Sequence, residues 1–202
     1  LCRTFVPAPG FLEGLREVTA ELDIPFIFDE VVTGFRFALG GAQEYYGVVP
    51  DLCAGAKAIS GGLPFGFVAG RGDIMALAGR AGFESGRHVR LTGTYSGNIL
   101  STAVAIALIN ELKAPGIYDE VNRKGLRLKN ALSERLKSAD IPATVVGEAT
   151  AFQPWFIEGE VKDHRSSLGF NWKRHFKRQD LLVERGILKG QEKFFISTAH
   201  SD

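Results

Sequence analysis

The stretch "PFIFDEVVTGFR", residues 25–36, followed by "DLCAGAKAISGG", residues 51–62, decides the fold. "IPFIFDE" carries aromatic and branched apolar residues at nearly every position, which suits a strand buried on both faces. Just before it, "PGFLEGLREVTAELD", residues 9–23, places Phe11, Leu12, Leu15, Val18 and Leu22 near helical spacing behind a proline. Helix followed by buried strand is the rhythm of an α/β fold. Asp29 closes that strand, at the edge where open α/β sheets bind ligands, although an aspartate there also serves as a turn cap. Its neighbour Glu30 reads as a structural or salt-bridged residue. Lys57 sits between "AGA" and "AISGG", with no acidic side chain within five residues. Small neighbours let a bulky ligand approach, and lysine is rarely buried without cause. Three roles fit it: a desolvated nucleophilic amine or base, a phosphate ligand, or a side chain that snorkels to solvent.

Outward from this core the pattern continues. Short strands are expected in "LCAGAKAI" and over 64–71, and the glycine-rich segment after them holds one short helix around 73–78. An apolar helix over 98–113, capped by Asn98, is expected to be buried. Pro115 and Gly116 end it, and an amphipathic helix covers 117–139. The strand-like runs "IPATVVG" and "TAFQPWFIEG", a helix over 172–185 and a last strand in "KFFISTA" complete the chain. The composition shift at Pro115 predicts α/β material over 1–114 and a smaller α+β domain over 115–202.

Composition narrows the function. The 202 residues carry 24 Lys and Arg against 23 Asp and Glu, a net charge of +1 that gives no general pull towards nucleic acid or an anionic membrane. The locally basic run "NWKRHFKRQD", residues 171–180, reads as a solvated helix face. Cys2 and Cys53 make neither a disulfide framework nor a metal cluster, and Cys53 is expected to be a small buried thiol. The apolar stretch 100–109 is too short to cross a bilayer. "LCRTFVPAPG" has no signal-peptide pattern and reads like the interior of a longer protein, so a cytoplasmic setting is expected by default.

An amine and a carboxylate on neighbouring sheet edges suit pyridoxal phosphate, which needs a lysine for attachment and an Asp or Arg at the pyridine nitrogen. "LTGTYSGN", residues 91–98, offers hydroxyls and backbone N–H groups ahead of a helix: an anion site, or an ordinary capping loop. Together "FIFDEVVTGFR", "GGAQEYYGVVPDLCAGAKAISGGLPFG" and "GTYSGN" resemble the class III aminotransferases, fold type I pyridoxal-phosphate enzymes, and within them the glutamate-1-semialdehyde 2,1-aminomutases. The resemblance implies the C-terminal part of a large domain with a mostly parallel sheet, then an incomplete small domain. It implies that Asp29 pairs with the pyridine nitrogen, Val31 packs on the ring, Lys57 binds the cofactor covalently and moves the proton, and Thr94 binds its phosphate across a homodimer. The end "QEKFFISTAH" is similar to the family's closing motif and places Glu192 near the substrate. "SGG" at 60–62 and "KGQE" at 189–192 depart from the family pattern. The implied activity is amino transfer between a small-molecule donor and acceptor. Its alternatives are an intramolecular aminomutase and a non-catalytic half-domain that needs a partner.

Overall fold

The computed structural model describes residues 4–190 and 192–202. Cys2 and Gln191, both drawn into the sequence reading, lie outside the described residues. The chain divides into two compact units, Gly10–Pro115 and, with residues 4–9, Gly116–Asp202.

In the first unit, α1 (Phe11–Glu21) leads into β1 (Ile27–Glu30), then α2 (Gly41–Tyr46) and β2 (Leu52–Ala56). A single 3-10 turn, Lys57–Ser60, separates β2 from β3 (Gly66–Gly70). Next come α3 (Gly72–Met75), α4 (Arg80–Glu84) and α5 (Ile99–Leu112). β1 and β2 are parallel, with Asp29 opposite Ala54 and Glu30 opposite Gly55. β3 returns antiparallel to β2, because so short a connection cannot make the crossover that a parallel neighbour requires. Gly55 has no side chain for a steric reason: a Cβ there would lie 2.2 Å from the ring of Phe67, which crosses β2 at that point. Asp51 ties the layers together. Its carboxylate accepts from Arg16 of α1 at 2.8 Å, from Arg71 at 3.0 Å and from the Phe26 backbone N–H at 2.8 Å.

Burial in this unit departs from the sequence reading. Ile27 of β1 is 57% exposed, and Ile99 of α5 is 86% exposed. α5 buries Ser101 and Ala105, and α1 buries no residue. Apolar content signals a demand for burial, but a three-stranded sheet is too narrow a layer to meet it. Cys53 is likewise half-buried. The Asn98 cap is as expected: its side chain accepts from the Ser101 N–H at 2.9 Å.

The second unit is built from α6 (Ile117–Ser138), β4 (Thr144–Glu148), β5 (Ala151–Trp155), α7 (Trp172–Glu184) and β6 (Phe194–Phe195). Its strands form an antiparallel sheet in the order β4-β5-β6. Leu136, Trp155, Phe156, Val161 and Phe170 form its core, and Phe5 stacks on Trp155 at 5.6 Å. α7 carries the basic run on an exposed face, while His175 is buried among Phe170, Trp172 and Phe176. Among the described residues no single helix is long and apolar enough to cross a membrane.

Candidate active site

β1 and β2 run in the same direction, so Asp29 and Lys57 come to the same carboxyl end of the sheet. Asp29, the last but one residue of β1, is exposed, and its Oδ1 accepts from the Val31 N–H at 3.0 Å. That bond fixes one carboxylate oxygen to its own turn and aims the group. Residues paired across a parallel ladder share a face, so Ala54 stands beside Asp29, with Ala56 next on that face of β2. The residues of β2 between the level of Asp29 and Lys57 are small: Ala54, Gly55 and Ala56. Val31 is half-buried at the turn that follows β1.

Lys57 leaves β2 at its last residue and turns sharply into the 3-10 segment. Its φ of +55° is a left-handed conformation that costs a residue with a side chain roughly 1–2 kcal/mol. Such strain is characteristic of functional positions. The side chain is exposed, which fits the solvent-reaching and phosphate-binding readings and not the desolvated one, and Ala56, Gly61 and Gly62 beside it carry little bulk. Behind it, α5 packs against Lys57–Ser60, and a Cβ at Gly61 would lie 2.4 Å from Val104. The same helix is preceded by the turn that carries Thr94, which is exposed. Ser60 is buried and donates from its hydroxyl to the Phe65 carbonyl at 3.3 Å.

Glu30 is the residue whose part the sequence hid. It is 2% exposed, and its carboxylate is met by three donors. Oε2 accepts from the Thr33 hydroxyl at 2.5 Å and the Ala42 N–H at 2.8 Å, and Oε1 accepts from the Gln43 N–H at 3.0 Å. The carboxylate therefore caps α2 from inside. Gly41, with φ +78°, passes so close that a Cβ would lie 2.6 Å from Oε2. The signal was present as a hydroxyl three residues on and a glycine pair before "AQ", but the partners are 12 and 13 positions away.

Glu192 belongs to the second unit, whereas Asp29, Val31, Lys57 and Thr94 belong to the first. It is half-buried, and its Oε2 is shut off from solvent without a hydrogen-bond partner among the described residues. Nearby, Lys189 lies over the Phe194 ring at 4.8 Å, and Arg178 lies over the same ring at 5.9 Å. Burial, helped by the adjacent Arg178 charge and opposed by Glu192, brings the Lys189 ammonium down to about 8. Burial alone lowers Arg178 to about 10.

Comparison with known proteins decides the family. The class-III aminotransferase family matches residues 4–164. This chain is a class-III aminotransferase family member. It is 40% identical over 200 residues to a glutamate-1-semialdehyde 2,1-aminomutase of Desulforudis audaxviator, covering 98% of this chain and 45% of that protein. A second aminomutase of that name, from Brevibacillus brevis, is 38% identical with 97% and 45% coverage. Among solved structures, an omega-transaminase from Sphaerobacter thermophilus superposes with a TM-score of 0.88 at 30% identity, over 98% of this chain and 45% of that one. A glutamate-1-semialdehyde aminomutase from Pseudomonas aeruginosa shares the fold, with a TM-score of 0.82 at 20% identity and the same coverage. The class-III chain thus spans about half the length of the relatives it matches.

Proposed function

We propose that this class-III chain is part of a pyridoxal-phosphate enzyme that moves an amino group between an amino acid or amino-aldehyde and a carbonyl acceptor. One observation carries the reading: Asp29 and Lys57 stand at the same end of paired parallel strands. The residues fit the cofactor by their chemistry, since an exposed amine for attachment and an exposed carboxylate for the pyridine nitrogen lie at the same carboxyl end of the sheet with small residues between them. When bound, pyridoxal phosphate supplies an aldehyde carbon for amines and a ring that takes up electrons. Lys57 Nζ would hold the cofactor covalently, and as a free amine it would take and return the proton at the substrate Cα. Asp29 would keep the pyridine nitrogen protonated, Val31 would pack on one ring face, and Thr94 with its turn would bind the phosphate. In this reading Thr94 serves the partner subunit of a homodimer, Glu192 contacts the substrate, and the enzyme is cytoplasmic.

The aminomutase alternative has its own support, because the sequence relatives at 38–40% identity carry that name. In it, the amino group returns to the adjacent carbon of the same substrate. Glutamate 1-semialdehyde supplied alone separates the two, since a mutase turns it over without a second substrate and a transaminase does not.

The first experiment is an absorption spectrum with added pyridoxal phosphate, followed by borohydride reduction and peptide mapping. It is run on the chain alone and on the chain mixed with a polypeptide that matches the rest of its relatives. The expected result is a single label on Lys57 that Lys57→Ala removes. Label scattered over surface lysines in both samples would overturn the enzyme reading and leave a non-catalytic half-domain.

A further inference from the structure

We infer that Glu30 is a positioning residue for the cofactor contacts on either side of it, and that Thr33 and α2 are the parts it works through. The inference rests on the cofactor reading given above and adds a residue to it. Asp29 lies within β1 and Val31 begins the turn that follows it, with Glu30, the last residue of the strand, between them. The two exposed or half-exposed contacts are therefore joined by a residue that is 2% exposed and held by three hydrogen bonds. The turn itself is pinned from the same residue. The Glu30 carbonyl accepts from the Gly34 N–H at 2.8 Å, and the Arg36 Nε–H donates to the Val32 carbonyl at 3.0 Å.

Two of the three glycines of this region are explained by the same clasp. A Cβ at Gly34 would lie 2.8 Å from the Glu30 carbonyl oxygen, and one at Gly41 would lie 2.6 Å from its carboxylate. Side chain and backbone of one residue thus dictate two small positions, a hydroxyl at Thr33 and the start of α2. Ordinary strand ends need no such apparatus, since a buried carboxylate is costly unless fully satisfied. What the clasp secures is the orientation of the Asp29 carboxylate, one oxygen of which is bonded to the Val31 N–H. If Glu30 loses an acceptor, the turn is freed and Asp29 loses its aim.

The test uses Glu30→Gln and Thr33→Ala, with Thr33→Ser as the conservative rescue, in the protein with and without pyridoxal phosphate. Without cofactor, carboxylate and amide NMR signals report on Asp29 and Val31. The expected result is that both move in Glu30→Gln and Thr33→Ala and return in Thr33→Ser, in folded proteins with native-like spectra elsewhere. With pyridine-15N-labelled cofactor, the ring nitrogen is expected to shift towards its unprotonated value while borohydride still labels Lys57. Turnover is expected to fall about 10- to 100-fold in kcat with KM within about twofold. Loss of protection at the Ala42 and Gln43 amides with unchanged Asp29 and Val31 signals would make Glu30 merely structural and overturn the inference. If Glu30→Gln simply unfolds, the Thr33 pair decides the matter, because it removes one bond of the three. Failure of the cofactor reading is told apart by Asp29→Asn. If that change leaves the ring nitrogen unmoved, or Lys57 takes no label, the cofactor assignment is wrong, and the cofactor-free signals still decide the role of Glu30.

Discussion

Lys57 combines an exposed amine with a backbone conformation that suits glycine. A left-handed residue bearing a Cβ costs roughly 1 kcal/mol, and no local sequence rule requires a lysine there. Lys57→Gly is therefore expected to be more stable than Lys57→Ala by about 1 kcal/mol, a rise in Tm of about 2–4 °C. Both variants are expected to lose the borohydride label if Lys57 holds the cofactor as proposed. Equal melting temperatures for the two would show that the turn stores no strain at this residue. The neighbours of Lys57 were legible in the sequence, and its place between small residues pointed to chemistry. Its φ was not, because "AKA" contains nothing that distinguishes a left-handed lysine from a helical one. Glu30 was half legible: a structural acid, but with partners too distant in sequence to name.

Helices and strands were legible because their periodicity is local. The helix read over 117–139 is Ile117–Ser138, and that over 172–185 is Trp172–Glu184. Burial was not legible, since it depends on which layer lies opposite, as the exposed face of α5 shows. Two helical glycines make the same distinction testable. Gly14 in α1 has open space where a Cβ would go, so Gly14→Ala is expected to stabilise by about 0.5–1 kcal/mol through helix propensity alone. Gly125 in α6 would gain the same propensity, but its Cβ would lie 2.0 Å from the Ala149 carbonyl oxygen. The clash wins because neither backbone can yield, and Gly125→Ala is expected to cost more than about 2 kcal/mol. Denaturant melts of the two variants check both signs.

The Asp51 cluster joins α1, β1 and the start of α3. The Phe26 N–H, then Arg16 and Arg71, hold its carboxyl well below the usual carboxylate range. A group with a lowered folded pKa stabilises fully above its unfolded value, near 4, and loses that contribution as pH falls below it. Acid unfolding between about pH 4 and 2 is therefore expected to be shallower in Asp51→Asn, whose stability at neutral pH is already reduced. Parallel acid titrations of variant and parent would sink this assignment if their slopes matched.

At the scale of the whole molecule, the exposed side chains pose a question that no single element answers. Ile99, Leu100 and Ile106 of α5 are 86%, 64% and 55% exposed, and Ile27 and Val68 of the sheet add 57% and 45%. Apolar surface gathered this way marks a contact face or an aggregation hazard, and a sheet with an unpaired edge adds to it. The relatives supply the missing term, since this chain matches only 45% of their length while sharing their fold at a TM-score of 0.88. The chain studied alone is expected to bind a fluorescent apolar dye and to self-associate as concentration rises. Mixed with a polypeptide matching the remainder of its relatives, it is expected to lose most of that dye signal and to gain the Lys57 label. The coupling of the two readouts is what matters. Dye release without cofactor attachment would mean that the apolar faces are covered but the site is not completed, and it would separate the folding partnership from the catalytic one. A monodisperse chain that binds no dye would show instead that these faces are tolerated in water, and that the link drawn from fold to partner is wrong.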